Sequence, residues 1–491
     1  MASSTRAPLI ATVAAMAVYA VTFSAMGILQ YHAGNISYTD TATFEEMLWR
    51  TLHGDFLRSS QLPHCLLGSH VQLIHLLLIP IYLIYPNLQT LMVCETVALA
   101  AGALAVYALA VEVLKRRWLG TAFAVAYLLY MPLQMLNLEG GGAYNTFRPI
   151  TFSVPLLLAA FYFLVRGRLA AFSVFAFLAL LCKQEFGLIV FMMGLYTALV
   201  LRRRKFGLAW AGIGAAWFAL AMWVVIPAFR HGESHVVSYY AQFGDSPAEI
   251  AESIVLHPGR ALATAFTAEK LDFLFLLFLP VGFLCLLGPL ELAIALPGFA
   301  VCLLSQRPST YQPWFHYHAP IVPFIFIAAI YGLRNLGRLA GRSGASRRVG
   351  VFGAVLLVAC ALATNIAYSK SPLSYRFYDP RSASSWRQLY VITPHARLIP
   401  EVVRLVPRDK RVSASLFINT YFTHHAAAYT FPQGFEEGHP RPPDYAVIDL
   451  KERWIFDSPK QREIYEELLK SPDFERVQAP EGFVVLKRKT H

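Results

Sequence analysis

The sequence predicts an α-helical polytopic membrane protein that ends in a water-soluble α/β domain. Three observations carry that expectation. Of 491 residues, 56% are hydrophobic and only 15% are charged, outside the usual composition of a soluble globular domain. Apolar runs able to enter a bilayer recur from residue 9 to residue 368. Beyond Tyr368 the pattern turns to short strands and amphipathic helix, which divides the chain into a transmembrane domain, 1–369, and a soluble domain, 370–491.

Eleven runs read as transmembrane helices: 9–30, 88–114, 118–137, 150–165, 169–182, 186–201, 206–229, 271–287, 290–304, 319–336 and 349–368. Several fall short of the roughly 20 residues a straight span needs, a length that a bundle interior or a thinned bilayer tolerates. The first run is long enough to span and lacks a convincing cleavage site, so it reads as a helix and not as a signal peptide.

Charge sets the expected orientation. Arg6, Lys115 to Arg117, Arg166 and Arg168, Arg202 to Lys205, and the stretch Arg334 to Arg348 hold fifteen Lys or Arg and no acid. Eleven spans walked from a cytoplasmic N-terminus put every one of these clusters inside, as the positive-inside rule asks. The loop 337–348 is then cytoplasmic, while loops 32–69 and 231–270 and the soluble domain lie on the external or periplasmic face of the cell (inner) membrane. Segment 70–85, short and carrying His70, His75 and Pro80, is expected as an interfacial or re-entrant helix at the outer face.

The net charge of +12 sits in these loop clusters, so membrane lipid, and not nucleic acid, is the expected partner. Five of the six cysteines lie in apolar runs, which gives neither a disulfide framework nor zinc spacing. In the soluble domain, helices are expected at 395–405 and 459–469 and strands at 411–415, 427–431, 445–450 and 483–487.

Loop 32–69 concentrates Asp40, Glu45, Glu46, His53, Asp55 and His64, with His70 just beyond it. Carboxylates at a partly dry membrane face can act as general bases toward a hydroxyl acceptor. On spacing alone the simpler reading is a solvated acidic loop in which Glu46 and Arg50 form an i,i+4 pair. Lys183 sits at the outer end of the bundle between apolar runs, where a charge is costly unless it is paired or functional; Glu185 is the neutralising partner, and an anionic ligand is the alternative. Glu95 and Glu291 are intramembrane acids expected to pair with neighbouring helices. His316 and His318 suit a metal only if further ligands converge, so no metal ligand and no certain cofactor is assigned, and a divalent metal held by oxygen-rich loops stays open. The triple glycine at 140–142 is no phosphate loop, because no strand precedes it and no Gly-Lys-Ser follows.

Several segments together carry a resemblance: Asp40 to Trp49, HGD at 53–55, His70 with IPIYLIYP at 79–86, YLLYMPLQMLN at 127–137, CKQEFGL at 182–188, LIPEVVRLVPRDKRVSAS at 398–415, YTFPQG at 429–434 and PDYAVIDL at 443–450. They resemble domain-of-unknown-function family 2079 of polytopic membrane proteins, over most of the chain. That family is in turn similar to the GT-C superfamily, membrane glycosyltransferases that take sugars from polyprenyl-phosphate donors. The resemblance implies a GT-C-like fold and an acidic catalytic base early in the first external loop, a position that Asp40 matches; Asp55, in the same loop, is the second catalytic candidate. Lys183, Glu185, Arg148, His70 and His53 are the candidate substrate contacts, and on the costliness of an unpaired charge at the bundle end Lys183, with Arg148, is expected on the phosphate of a polyprenyl-phosphate-linked sugar. Two positions depart from the family pattern: Arg148 precedes Pro149 where the family tends to have His, and Lys183-Gln184-Glu185 replaces Lys-Glu-Asp.

Three functions are consistent with this pattern. A glycosyltransferase would use Asp40 as base toward an unknown acceptor. A transporter or lipid-handling protein would commonly show paired repeats or broken spans in corresponding positions, which the sequence lacks. A non-catalytic GT-C-like scaffold would keep the architecture without the chemistry.

Overall fold

The computed structural model describes residues 6–138, 147–231, 237–341, 345–436, 438–452 and 455–489; the glycines at 140–142 lie outside them. Its body is helical, and a single five-stranded sheet forms the C-terminal part. Five helices are long and apolar enough to cross a membrane: Ala7–His32, Leu88–Leu114, Arg204–Phe229, Val322–Leu339 and Arg347–Tyr368. A sixth span is obtained if Arg117–Leu129 and Met131–Asn137, bent by 51°, count as one. Pro132 explains the bend, since a proline near a helix start has no N–H to continue the ladder behind it.

Among the described residues the expected eleven spans are therefore not confirmed. Pro149–Val165, Leu169–Leu180, Phe186–Leu199 and Pro289–Leu303 are apolar helices of 10–17 residues. The run 271–287 breaks into Ala268–Phe278 and two 3₁₀ turns around Gly282, where Pro280 and two left-handed residues, Gly282 and Phe283, end the helix. Composition identified apolar helix, and proline and glycine decided how much of each run stays straight.

The helices pack through small residues where backbones meet. A Cβ on Gly194 would stand 2.4 Å from the Ala211 amide nitrogen, and one on Gly207 would stand 2.4 Å from that of Ala198. This seam brings Phe186–Leu199 and Arg204–Leu220 into direct backbone contact, the usual way for membrane helices to gain packing without a hydrophobic driving force.

The two ends of the bundle differ in charge. At one end Glu112 takes Arg166 at 2.7 Å and Lys115 at 2.9 Å, and Arg116, Arg334 and Arg338 line one cleft. At the other end, a helix length away along Leu88–Leu114, loop 32–69 meets the C-terminal sheet. Loop 231–270 joins that second end, where Tyr240 donates to Val301 O at 2.9 Å and Arg230, just before the loop, donates to Gly68 O at 2.9 Å. Segment 70–85 does not cross: it is a 3₁₀ turn, Ile74–Leu78, and one helical turn, Ile79–Tyr82, at the same end.

The sheet contains β1 (Arg411–Ala414), β2 (Ala427–Thr430), β3 (Tyr445–Asp449), β4 (Phe474–Val477) and β5 (Phe483–Arg488) in the order β2-β1-β3-β5-β4. β1 runs parallel to both β2 and β3, and β5 is antiparallel to β3 and β4. β4 was not expected from sequence, because an edge strand reading Phe-Glu-Arg-Val alternates charge into solvent and makes no apolar run.

The other edge, β2, is covered by loop 32–69. The Ala428 amide donates to Ser60 Oγ at 3.0 Å, Gln61 Nε2 donates to Ala428 O at 2.7 Å, and Arg50 donates to Ala426 O at 2.7 Å. Side chains of the loop thus satisfy backbone groups that an open strand edge would leave unpaired. Tyr38 and Ala42 lie in the same apolar core as Val412, Val447 and Val485.

One carboxyl in the sheet domain gives a pH-dependent expectation. Glu452 is buried, accepts the Phe417 amide at 3.3 Å, and has its pKa pushed up to about 8, chiefly by burial. Between the ordinary glutamate value and about 8 the folded domain keeps a proton that the unfolded chain has lost. Stability therefore falls as pH rises through that window, by at most on the order of 3–5 kcal/mol. The denaturant midpoint of the domain, reported by a probe at position 433, should drop between pH 5 and pH 8.5, and Glu452→Gln should remove most of that slope.

Candidate functional site

Asp40 stands in a turn whose backbone is held from both sides. Its φ of 59° and ψ of −64° belong to a γ-turn-like region that residues other than glycine rarely occupy. Before it, the Tyr38 amide donates to Leu416 O at 3.0 Å and the Tyr38 hydroxyl donates to Glu46 at 2.7 Å. After it, Thr41 Oγ lies 3.4 Å from both the amide nitrogen and the carbonyl oxygen of Phe147. The strained residue is thereby locked opposite Arg148, with Asp40 Oδ2 at 2.5 Å from the guanidinium; the acid side chain is 44% exposed and the arginine 10%.

Arg148 owes its position to the proline after it, which forces extended backbone, φ −145° and ψ 126°. Its amide donates to Glu95 Oε1 at 3.2 Å, and Thr151 Oγ donates to the same oxygen at 2.7 Å. Glu95 thus fixes the turn that presents the guanidinium. Glu291, the other intramembrane acid, accepts from Tyr196 at 2.8 Å on a different helix.

Lys183 lies in the turn between Leu169–Leu180 and Phe186–Leu199, mostly buried, with its ammonium 3.0 Å from Glu185. Segment 70–85 pins that turn. Leu181 O accepts from the amides of Leu73 at 2.8 Å and Ile74 at 3.0 Å, Gln184 Oε1 accepts from the Val71 amide at 3.2 Å, and Gln184 Nε2 lies 3.2 Å from His70 Nδ1.

His316 completes the cluster. Its pKa is held well below the ordinary value, first by burial, then by the neighbouring Arg148 and Lys183 cations, with Asp40 acting the opposite way. The His316 imidazole is therefore neutral near pH 7. His318 makes a 2.9 Å contact from Nε2 to Pro132 O, which ties this loop to the bent helix.

The fold pairs Asp40 with Arg148 and Lys183 with Glu185, brings Asp40, Arg148 and Lys183 within electrostatic reach of His316, and ties His70 to Gln184, the residue after Lys183. Asp55 and His53 have other partners. Asp55 is 3.4 Å from both Arg50 and Arg58, while His53 is exposed, 2.7 Å from Trp49 O and packed on the Trp49 ring. Glu46 is buried and saturated: it accepts from Tyr38, from Arg50 at 2.7 Å, from Ser59 Oγ at 2.5 Å, and from the amide and hydroxyl of Ser60. The expected Glu46–Arg50 pair is present, buried and not solvated. Glu45 accepts from Tyr82 and lies 2.5 Å from His424 of the sheet domain. Among the described residues no three His, Cys, Asp or Glu side chains converge as a metal ion would require.

Sequence reasoning treated His316 only as a metal candidate. The FHYHAP stretch flagged the residues, but nothing local showed that His316 comes within electrostatic reach of Arg148 and Lys183. The cover that Ser60 and Gln61 give to the sheet edge left no sequence signal at all.

Residues 37–485 match the family model described as predicted membrane protein, DUF2079. The chain belongs to this family. No curated protein matches it. Among solved structures, the crystal structure of ArnT from Cupriavidus metallidurans in the apo state is similar at 13% identity and a TM-score of 0.49, covering 95% of this chain and 97% of that one.

Two positions that the sequence reading singles out, Arg148 and Gln184, have physical readings in the structure. Arg148, where the sequence resemblance leads us to expect His, gives Asp40 a permanent cation. Gln184 in place of Glu uses both ends of its amide on segment 70–85, which a carboxylate, an acceptor only, could not do. The acid that faces Lys183 is accordingly Glu185.

Proposed function

We propose that this membrane protein is an inverting glycosyltransferase that moves a sugar from a polyprenyl-phosphate donor to an acceptor hydroxyl at the outer membrane face. The observation that supports the reading is the Asp40–Arg148 ion pair, which joins two distant segments, with Lys183 acting electrostatically on the same imidazole, His316, as both of them. Asp40 would take the acceptor proton as the acceptor oxygen bonds to the anomeric carbon. The bond from that carbon to the phosphate oxygen breaks, its electron pair stays on the phosphate, and Arg148 and Lys183 hold the charge. Phosphate leaves as an anion, so no strong acid is needed on that side.

The two ion pairs give this reading a sequence of events. Asp40 is paired with Arg148 and Lys183 with Glu185. A donor phosphate competes for both cations and releases Asp40 to serve as base. The domain 370–491, whose loop contacts the residues flanking Asp40, would orient the acceptor. The test is turnover: proteoliposomes containing the full chain should release polyprenyl phosphate from a panel of polyprenyl-phosphate sugars. No release from any donor, with the lipid instead carried across the bilayer, would favour transport.

Sidedness has its own test. An impermeant maleimide added to intact cells should label a cysteine introduced at Gln433 and leave one at Gly341 unlabelled. The reverse pattern would put the cluster on the cytoplasmic face, out of reach of an external acceptor.

A further inference from the structure

The basic end of the bundle, far from Asp40, contains a cleft of ≈490 Å³. That volume falls within the roughly 300–1,000 Å³ of small-molecule sites. It opens between the end of Leu88–Leu114, the start of Arg117–Leu129, the end of Val322–Leu339 and the first turns of the helix that runs to Tyr368. Its space comes from Gly337, Gly341 and Gly350, and its polar wall from Arg116, Arg334 and Arg338.

Two of these arginines, Arg116 and Arg338, are not neutralised by a carboxylate among the described residues, whereas Arg334 acts on the buried Glu291. Arg334 lies over the Tyr331 ring at 4.2 Å and bonds Asn335, while Arg116 and Arg338 have no carboxylate partner among the described residues. Glu112, the acid nearest in sequence to Arg116, is already taken by Lys115 and Arg166. Beside this cationic wall the cleft is apolar, with Val113, Leu114, Leu119, Leu333 and Val349. Trp118, close to Gly350, and Phe352 on the following turn are exposed on the bundle surface.

We infer that this cleft binds the headgroup of an anionic phospholipid, with its phosphate on Arg116 and Arg338 and its acyl chains running along Trp118 and Phe352. Charge complementarity and the adjoining apolar surface select this occupant. A soluble anion would use the arginines alone, and a zwitterionic lipid would set its own cation against them. Guanidinium groups suit phosphate oxygens because they donate two parallel hydrogen bonds. A basic pocket between membrane helices is the physical form that such recognition takes.

The experiment titrates delipidated full-length protein in detergent with phosphatidylglycerol or with phosphatidylcholine of the same acyl chains, and counts bound lipid by native mass spectrometry. Phosphatidylglycerol should bind at least about tenfold more tightly, and Arg116→Gln/Arg338→Gln should weaken it about 30-fold, as expected for two basic groups near a membrane surface. Phosphatidylcholine binding should not change. Arg168→Gln, an exposed cation of another cluster at the same end, should leave both lipids as they were. Equal binding of the two lipids overturns the inference, as does a double variant that binds like the parent. A loss in Arg168→Gln as large as in the double variant would mean diffuse surface charge. Displacement of the lipid by millimolar inorganic phosphate would mean an anion site that does not read acyl chains.

Discussion

Asp40→Asn should abolish sugar transfer, lowering donor turnover by about 10²–10⁴-fold, the usual cost of a missing general base. The change is nearly isosteric and keeps an oxygen toward Arg148, so the turn held by Tyr38 and Thr41 should persist. Donor binding is the informative second measurement. In the resting chain Asp40 occupies the guanidinium that the donor phosphate needs, at 2.5 Å. Neutralising the acid frees Arg148, so affinity for polyprenyl phosphate should stay the same or rise while turnover collapses. Equal loss of binding and turnover would assign Asp40 a structural role in the turn. Asp55→Asn is the control, because Asp55 is engaged by Arg50 and Arg58 at the edge of the sheet domain. A dead Asp55→Asn with an active Asp40→Asn would move the base and keep the enzyme class.

How much of this was legible in the sequence depends on the range of the interaction involved. Helix and strand are local properties, and β1, β2, β3 and β5 lie where alternation and turn residues placed them. The span count is not confirmed where single residues act against a broad composition, as at Pro132 and Gly282. Arg148 was named from a motif position, but its 2.5 Å contact with Asp40 joins residues more than a hundred apart, and no periodicity reports that. Glu45 and Glu46 show the same limit from the other side. In sequence they are two acids of a polar loop, whereas in the fold both are buried and committed to Tyr38, Tyr82, Arg50 and His424. Of the loop's acids, that leaves Asp40 as the one that faces the cations of the cluster.

Lys183→Ala and Glu185→Gln should move phosphate binding in opposite directions. A hydrogen bond to a charged group contributes about 1.5–3 kcal/mol, so losing the Lys183 ammonium should weaken polyprenyl-phosphate binding by about 10–150-fold. Turnover should fall as well, since the same charge develops further as the phosphate departs. Glu185 has the reverse effect on binding. Its carboxylate holds the ammonium at 3.0 Å, and a phosphate must displace it or share the cation with it. Glu185→Gln keeps the size and a weaker hydrogen bond, leaves Lys183 in its turn through Gln184 and segment 70–85, and removes the competing charge. Affinity for polyprenyl phosphate should therefore rise, measured by titrating the lipid phosphate into purified protein without any acceptor. A merely structural ion pair predicts something different, namely that both variants lower thermal stability and neither shifts the phosphate affinity. If Glu185→Gln weakens binding as much as Lys183→Ala does, the glutamate supports the lysine and does not compete for it, and the ligand-driven release of the two pairs is wrong.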